Sequence, residues 1–246
     1  MTTARLVLIT GGAGGIGAAL AQAFLDAGDR VVLLDREAEA LAARAAELGT
    51  AHAVVDITDP ASVRAAVEAI AAEHGVPDVL VNNAGLLSLH GPVLGLAPED
   101  YKKILDVNVV GTFTVTQAVA AAMVEAGRPG AVVNISSIGA SQPTPGMGGY
   151  ESSKAAVDAQ TRWAAIELAA HGIRVNAVAP GPVLTPMMAM AMPEGSEART
   201  AWTSRIPLQQ MAAPEDVAAA AVFVASSAAK HLTGIVIPVD GGQLLG

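Results

Sequence analysis

The chain has no cysteine, only two tyrosines, two tryptophans and three phenylalanines, and 14 basic residues against 23 acidic ones. Without cysteine there is neither a disulfide nor a thiolate metal ligand, and no metal site is expected; such a composition suits the cytoplasm. A net charge of −9 weighs against nucleic acid and anionic membrane surfaces as partners, since both recruit basic patches. No uninterrupted apolar run approaches the roughly 18 residues of a membrane-spanning helix. The opening "MTTARLVLITGG" has an apolar core shorter than the roughly 7–15 residues of a signal peptide. The expectation is a soluble cytoplasmic protein with no nucleic-acid or membrane partner.

What is abundant is alanine, glycine and short β-branched runs. At 246 residues the chain is long enough to bury a core without staples and fits one α/β domain better than two. Apolar runs at 5–10, 30–35, 51–56, 77–83, 130–136, 173–179 and 234–240 read as strands. Between them, helical periodicity marks 15–27, 37–48, a segment after Pro60, 98–126, a segment from about 150 to 171, and one after Pro214. Strict alternation predicts a doubly wound parallel sheet of about seven strands with helices on both faces. Continuously apolar strands fit a sheet covered on both sides. The domain is expected to span 1–246, with a substrate loop or lid at about 183–208.

"LITGGAGGIGAAL" sets glycines between the first strand and the first helix. Gly12, Gly14 and Gly17 fit one dinucleotide spacing; Gly11, Gly15 and Gly17 fit another. Either way the backbone turns tightly and lets a pyrophosphate approach the amides of Gly14 to Gly17, Ile16 included. About 20 residues on, Asp35 ends the second strand, where a carboxylate accepts from both adenosine ribose hydroxyls and repels a 2′-phosphate. Arg36 is the opposing signal, a base within reach of such a phosphate. The balance favours NAD over NADP in a Rossmann-type site.

"GGYESSKAAV" places Tyr150 and Lys154 four apart, on one helix face. A free phenol ionises near 10 and is a poor base at neutral pH. A fixed ammonium beside it favours the phenolate, so Lys154 is expected to lower the Tyr150 pKa. Ser136 and Ser137 sit at a strand's carboxyl end, where open α/β sheets bind ligands. Ser137 lies thirteen residues before Tyr150 across a Gly/Pro-rich loop, and a hydroxyl there can hold a carbonyl oxygen or alkoxide.

Along nearly its whole length the chain resembles short-chain dehydrogenases/reductases of the classical type. The resemblance rests on "TGGAGGIG" (10–17), "NNAG" (82–85), Asn108 in "DVNVVGTF", Ser137 in "NISS", "YESSK" (150–154), "PGPVLT" (180–185) and "PVDGG" (238–242). It implies Tyr150 as general acid/base, Ser137 as orienter of the substrate oxygen, and Asn108 as support for a water-linked proton relay. Lys154 would also hold the nicotinamide ribose. Asn82, Asn83, Ala84 and Gly85 would shape the sheet beside the cofactor, and Asp56 and Ile57 would flank adenine. Pro180 and Gly181 would lead to Val183 and Thr185 at the carboxamide. The reaction implied is NAD(H)-dependent interconversion of a secondary alcohol or polyol and its ketone.

An NADPH-dependent 3-oxoacyl-carrier-protein reductase shares every one of these motifs. Asp35 and the negative charge weigh against it, because its carrier is strongly acidic. A dinucleotide sensor without turnover is a further alternative, opposed by four filled catalytic positions. In the substrate loops, Gln142, Met147 and Trp202 are candidate lining residues, and His90 is another that reads more simply as a loop residue without a chemical role; "LTPMMAMAMPEGSEARTAW" reads equally as an apolar, flexible lid and as an oligomer contact or loosely ordered surface. The family resemblance also implies pairing of the helices at 98–126 and 150–171 between subunits, giving a homotetramer or a dimer.

Overall fold

Every residue of β1 (Leu6–Thr10) is buried, because the strand lies inside a sheet with helices on each face. Val7 and Ile9 point to one side and Leu6 and Leu8 to the other, as the two-residue period of a strand requires. This computed structural model describes residues 4–246. After β1 come α1 (Gly15–Asp26), β2 (Arg30–Asp35), α2 (Ala38–Leu48), β3 (Ala51–Val54), α3 (Pro60–His74) and β4 (Val79–Asn82). Next are α4 (Pro98–Leu105), α5 (Thr112–Glu125), β5 (Gly130–Ile135), α6 (Gly148–Leu168) and β6 (Ile173–Pro180). The chain closes with α7 (Pro186–Ala191), α8 (Glu197–Thr203), α9 (Pro214–Ala225) and β7 (Val236–Val239).

The sheet has seven strands in the order β3-β2-β1-β4-β5-β6-β7, all pairs parallel. One face packs against α1, α2 and α9 through Leu20, Phe24, Leu41, Val217, Ala221 and Val224. The other packs against α3, α5 and α6 through Val63, Val67, Val115, Val119, Met123 and Ala165. This is the Rossmann-type single domain expected. The chain reverses direction across the sheet between β1 and β4, and the loops leaving those two strands border the crevice where such sheets bind ligands.

Three expectations need correction. The helix expected over 98–126 is continuous but not uniformly α: between α4 and α5 the turn Asp106–Gly111 widens to the π form. Three side-chain hydrogen bonds hold the buried Asn108 inside that turn. The same helix, Pro98–Glu125, is by length and composition apolar enough to cross a membrane. A search for uninterrupted apolar runs misses this, because Asp106, Asn108, three threonines and Gln117 break the run. Its face of Val115, Val119, Ala120 and Met123 packs into the core, which accounts for that composition. Third, the segment expected to be a flexible lid folds into α7 and α8. Thr185 and Ser196 cap them, accepting from the amides of Met188 and Arg199 at 3.3 and 3.2 Å.

Candidate active site

The glycine loop is shaped by atoms that leave no room for a side chain. Gly11 has φ +70°, and a Cβ there would stand 2.8 Å from Asn83 Nδ2 and 2.9 Å from Ala84 Cα. A Cβ on Gly17 would fall 2.2 Å from the Gly11 carbonyl oxygen, so only glycine lets α1 start against the loop. Gly14, by contrast, faces open space apart from the Gly11 carbonyl at 3.5 Å. No side chain caps α1 and no acid lies in its first turn. Its positive end and free amides are therefore available to a pyrophosphate.

Thr10 binds this loop to the next one. Its Oγ1 accepts the amides of both Asn83 and Ala84 at 3.0 Å, while Asn83 Nδ2 donates to the carbonyls of Thr10 and Gly11 at 3.0 and 3.1 Å. Asn82 turns the other way. Its Nδ2 donates to Thr116 and Asn134 at 2.8 and 2.9 Å, and Asn134 donates to Thr161 at 2.8 Å. Asn82 thus stitches β4 and β5 to the helices behind them rather than facing a cofactor.

Asp35 ends β2 with its carboxylate aimed at the glycine loop, accepting the Ala13 amide at 3.1 Å and the Glu37 amide at 3.2 Å. Arg36 is exposed and pairs with Glu37 at 3.1 Å. Asp56 is held by the hydroxyl and amide of Thr58 at 2.7 and 2.9 Å. Those two bonds, with Arg36 nearby, keep its carboxyl below the usual range. Arg36 is therefore paired with Glu37 and lies near Asp56. Ile57 packs its side chain against Gly111, leaving mainly backbone toward an adenine. These features fit the adenosine end of a nicotinamide dinucleotide.

At the opposite end, Pro180 closes β6, and the Gly181 amide donates to the Val239 carbonyl at 2.9 Å. A lone bridge pairs buried Val183 with Ala212. Thr185 then lies over the glycine loop: a Cβ on Gly15 would meet Thr185 Cβ at 3.4 Å and Pro186 Cδ at 3.1 Å. Residues 170 positions apart in the chain so face one another across the crevice.

The Tyr150 phenol lies close enough to the Ser137 hydroxyl for that group to favour its ionisation. Ser137, extended at the end of β5, also accepts the Gly139 amide at 3.1 Å. Lys154 is fully enclosed, its Nζ 5.6 Å from the Tyr150 ring centre and donating to the Ile135 carbonyl at 2.7 Å. A Cβ on Gly85 would lie 3.5 Å from Asn108 Oδ1 and 3.6 Å from Lys154 Nζ, so "NNAG" runs directly over both. Asn108 accepts the Leu86 amide at 2.6 Å and donates to the Leu86 carbonyl at 3.1 Å and to Ser153 Oγ at 2.9 Å.

The electrostatics depart from expectation. Burial pushes the Tyr150 phenol up to about 12, against a lowering by the Ser137 hydroxyl and with a small raise from Glu151. Lys154 does not bring it down, because burial lowers Lys154 itself to about 8. Asp158, one turn along α6, opposes that lowering. Its carboxyl is raised by burial and takes a 2.5 Å hydrogen bond from Ser136. Ser136 thus faces the helix rather than the crevice, which leaves Ser137 as the reactive-side serine. Thr10 and Asp158 are the residues that sequence reasoning passed over. Asp158 had a signal, the i+4 spacing from Lys154.

Of the proposed lining residues, Trp202 stacks on Arg205, with the guanidinium 5.0 Å from its ring centre. His90 is exposed. Gln142 exchanges amide hydrogen bonds with Gln243 and the Gly246 carbonyl, both at 3.2 Å. Met147 precedes the first turn of α6. Among the described residues no three His, Asp or Glu side chains converge as a metal site would require.

Residues 11–243 match the family model described as enoyl-(acyl carrier protein) reductase. The chain is 40% identical over 248 residues to a D-threitol dehydrogenase of Mycolicibacterium smegmatis, covering 98% of this chain and 93% of the relative. It is 39% identical over 246 residues to the 3-oxoacyl-[acyl-carrier-protein] reductase FabG of Thermotoga maritima, covering 98% of each. A short-chain dehydrogenase/reductase structure from Mycobacterium ulcerans superposes with a TM-score of 0.93 at 37% identity, covering 98% of this chain and 90% of that one. With the fold, the glycine loop and the Tyr150–Lys154 helix in place, the chain belongs to the short-chain dehydrogenase/reductase family of oxidoreductases, which work with a nicotinamide dinucleotide.

Proposed function

We propose that this protein is an NAD(H)-dependent dehydrogenase that interconverts a secondary alcohol of a polyol with its ketone. The observation that carries the reading is the convergence of Ser137, Tyr150 and Lys154, a hydroxyl, a phenol and an ammonium within one turn of the β5 end. Ser137 orients the substrate oxygen, and Tyr150 takes its proton in oxidation or gives one in reduction. Lys154, steadied by the Ile135 carbonyl, presents positive charge to the phenol and donors to the nicotinamide ribose. Asn108 fixes the Leu86 backbone and Ser153 in the wall of the site. Bound NAD supplies the hydride acceptor and, as a cation, the charge that draws the phenol toward ionisation.

NAD rather than NADP is supported by Asp35 at the glycine loop and by Arg36 spent on Glu37. A polyol is supported by the resemblance to the D-threitol dehydrogenase. The carrier-protein reductase relative is almost as similar, and cofactor choice separates the two readings. Mixing the protein with NAD or NADP and D-threitol or longer polyols, and following reduced-nicotinamide absorbance, tests the proposal. Turnover with NAD is expected. Turnover confined to NADPH and 3-oxoacyl thioesters overturns it, and dinucleotide binding with no turnover on either panel points to the sensor.

Two further properties belong to this reading. The cysteine-free, acidic composition supports a cytoplasmic location. The outer face of α5 and α6 supports self-association: a cavity of about 470 Å³ opens between them, beside Phe113 and Trp163, whose rings stack at 5.7 Å. Ile166 on the same face is 79% exposed. A second copy of this face would cover it, building a homotetramer, or a dimer if only one such face is used.

A further inference from the structure

Glu151 follows Tyr150 directly, yet its side chain turns away from the crevice and is only 8% exposed. Its Oε1 accepts the Thr144 amide at 2.6 Å. Thr144 sits midway along loop 138–149, the segment that leaves Ser137 and returns to Tyr150. The loop is shaped to receive this carboxylate: a Cβ on Gly139 would stand 2.9 Å from Glu151 Cγ and 3.5 Å from Oε1. The Glu151 amide donates to the Met147 carbonyl at 3.0 Å, the first backbone bond of α6, so the tie to the loop itself is the side chain's. The neighbouring loop is tied in as well, because the Gly91 amide donates to the Gly146 carbonyl at 2.9 Å.

No Lys, Arg or His pairs with Glu151 among the described residues. A carboxylate this buried is ordinarily paired, so a compensating role is called for. The hydrogen bond to a backbone amide supplies it, and bonds to charged acceptors are the stronger kind. The first part of the loop is also held through Gln142 and Gly139, but between Pro143 and Pro145 the Glu151 bond is the side-chain tie to α6, and a cavity of about 740 Å³ lies beside this stretch.

We propose that Glu151 is a positioning residue that latches loop 138–149 onto the helix carrying Tyr150, keeping Ser137 and the loop wall in register with the phenol so that the substrate is held productively. The latch acts through the loop on substrate affinity. The Glu151 charge also raises the Tyr150 phenol, so Thr144→Pro, which keeps that charge, isolates the latch. It rests on the reading of Ser137 and Tyr150 as the reacting pair.

The test compares wild type with Glu151→Ala, Glu151→Gln and Thr144→Pro. Glutamine keeps the acceptor oxygen, alanine removes it, and proline removes the donor from the loop side without touching α6. In amide hydrogen exchange with NAD as the only addition, alanine is expected to speed exchange across 138–149 by roughly tenfold or more, the factor lost with one charge-assisted hydrogen bond, while glutamine restores protection. In steady-state turnover of D-threitol, proline is expected to raise KM for the polyol with kcat and the NAD KM nearly unchanged, while alanine and glutamine, which both remove the charge beside Tyr150, are expected to shift the pH profile of kcat alike and to differ in polyol KM. Unchanged exchange in Glu151→Ala overturns the latch, as does an unchanged polyol KM in Thr144→Pro. If wild type turns over no polyol with either cofactor, the proposed function fails while the exchange data still decide the latch.

Discussion

Lys154 stands 5.6 Å from the centre of the Tyr150 ring and spends a hydrogen bond of 2.7 Å on the Ile135 carbonyl. The pair is held rigidly, but the protein alone does not make the phenol acidic. Desolvation dominates at both groups, leaving Tyr150 at about 12 and Lys154 at about 8. A buried pair of this kind gains its working charge state only when further positive charge enters the site.

That depressed lysine has a consequence for stability. Unfolded, Lys154 holds its proton to about 10.5; folded, it releases it near about 8. Between those values the unfolded chain binds more protons, so this residue's contribution to stability rises with pH. Denaturant melts of wild type and Lys154→Met at steps from pH 7.5 to 10 should show wild type gaining relative to the variant. A difference independent of pH would contradict the burial argument.

Asp35 should decide cofactor choice. Asp35→Asn removes the charge that accepts the ribose hydroxyls and repels a 2′-phosphate. The NAD-over-NADP ratio of kcat/KM should fall tenfold or more, about the worth of one hydrogen bond to a charged group. Steady-state kinetics with both cofactors measures it, and an unchanged ratio would return the choice to Arg36.

Asn108→Ala should cost both stability and activity. The change strips partners from the Leu86 amide and carbonyl, at about 1–3 kcal/mol for each buried group left unpaired. A chain of this size loses about 2–4 °C in Tm per kcal/mol. Calorimetry should therefore register a fall of several degrees, with turnover reduced because the π turn loses the side chain that fills it.

Ile166→Glu should break the assembly without unfolding the subunit, since the residue is exposed and the glutamate would be buried only on association. Sedimentation velocity should show a smaller species. A wild-type protein already monomeric at micromolar concentration would remove the assembly proposal.

Much of this was legible in the sequence because it is local. Strand-glycine-helix order, the acid ending β2 and the four-residue spacing of Tyr150 and Lys154 each follow from short segments, and the sheet follows from their alternation. What was not legible depends on atoms distant in the chain. Thr10 reads as an ordinary strand residue until Asn83 and Ala84 arrive at its hydroxyl. The π turn at Asn108 comes from bonds to Leu86 and Ser153, and no propensity announces it. The sign of the Tyr150 shift was misjudged because charge spacing can be read from a sequence and desolvation cannot. Element ends moved for the same reason: α6 begins at Gly148 rather than Tyr150, where Gly149 packs against Ile104 and Tyr101.

The most direct test of the account is turnover by Tyr150→Phe alongside wild type, with NAD and the polyol that wild type oxidises, and NAD binding measured by titration. Phenylalanine keeps the ring and removes only the hydroxyl that stands beside Ser137. The account predicts a fall in kcat of roughly 10²–10⁴-fold, the usual contribution of a general acid/base, with NAD affinity largely retained. Near-normal kcat in that variant would contradict it, because the proton would then have another route.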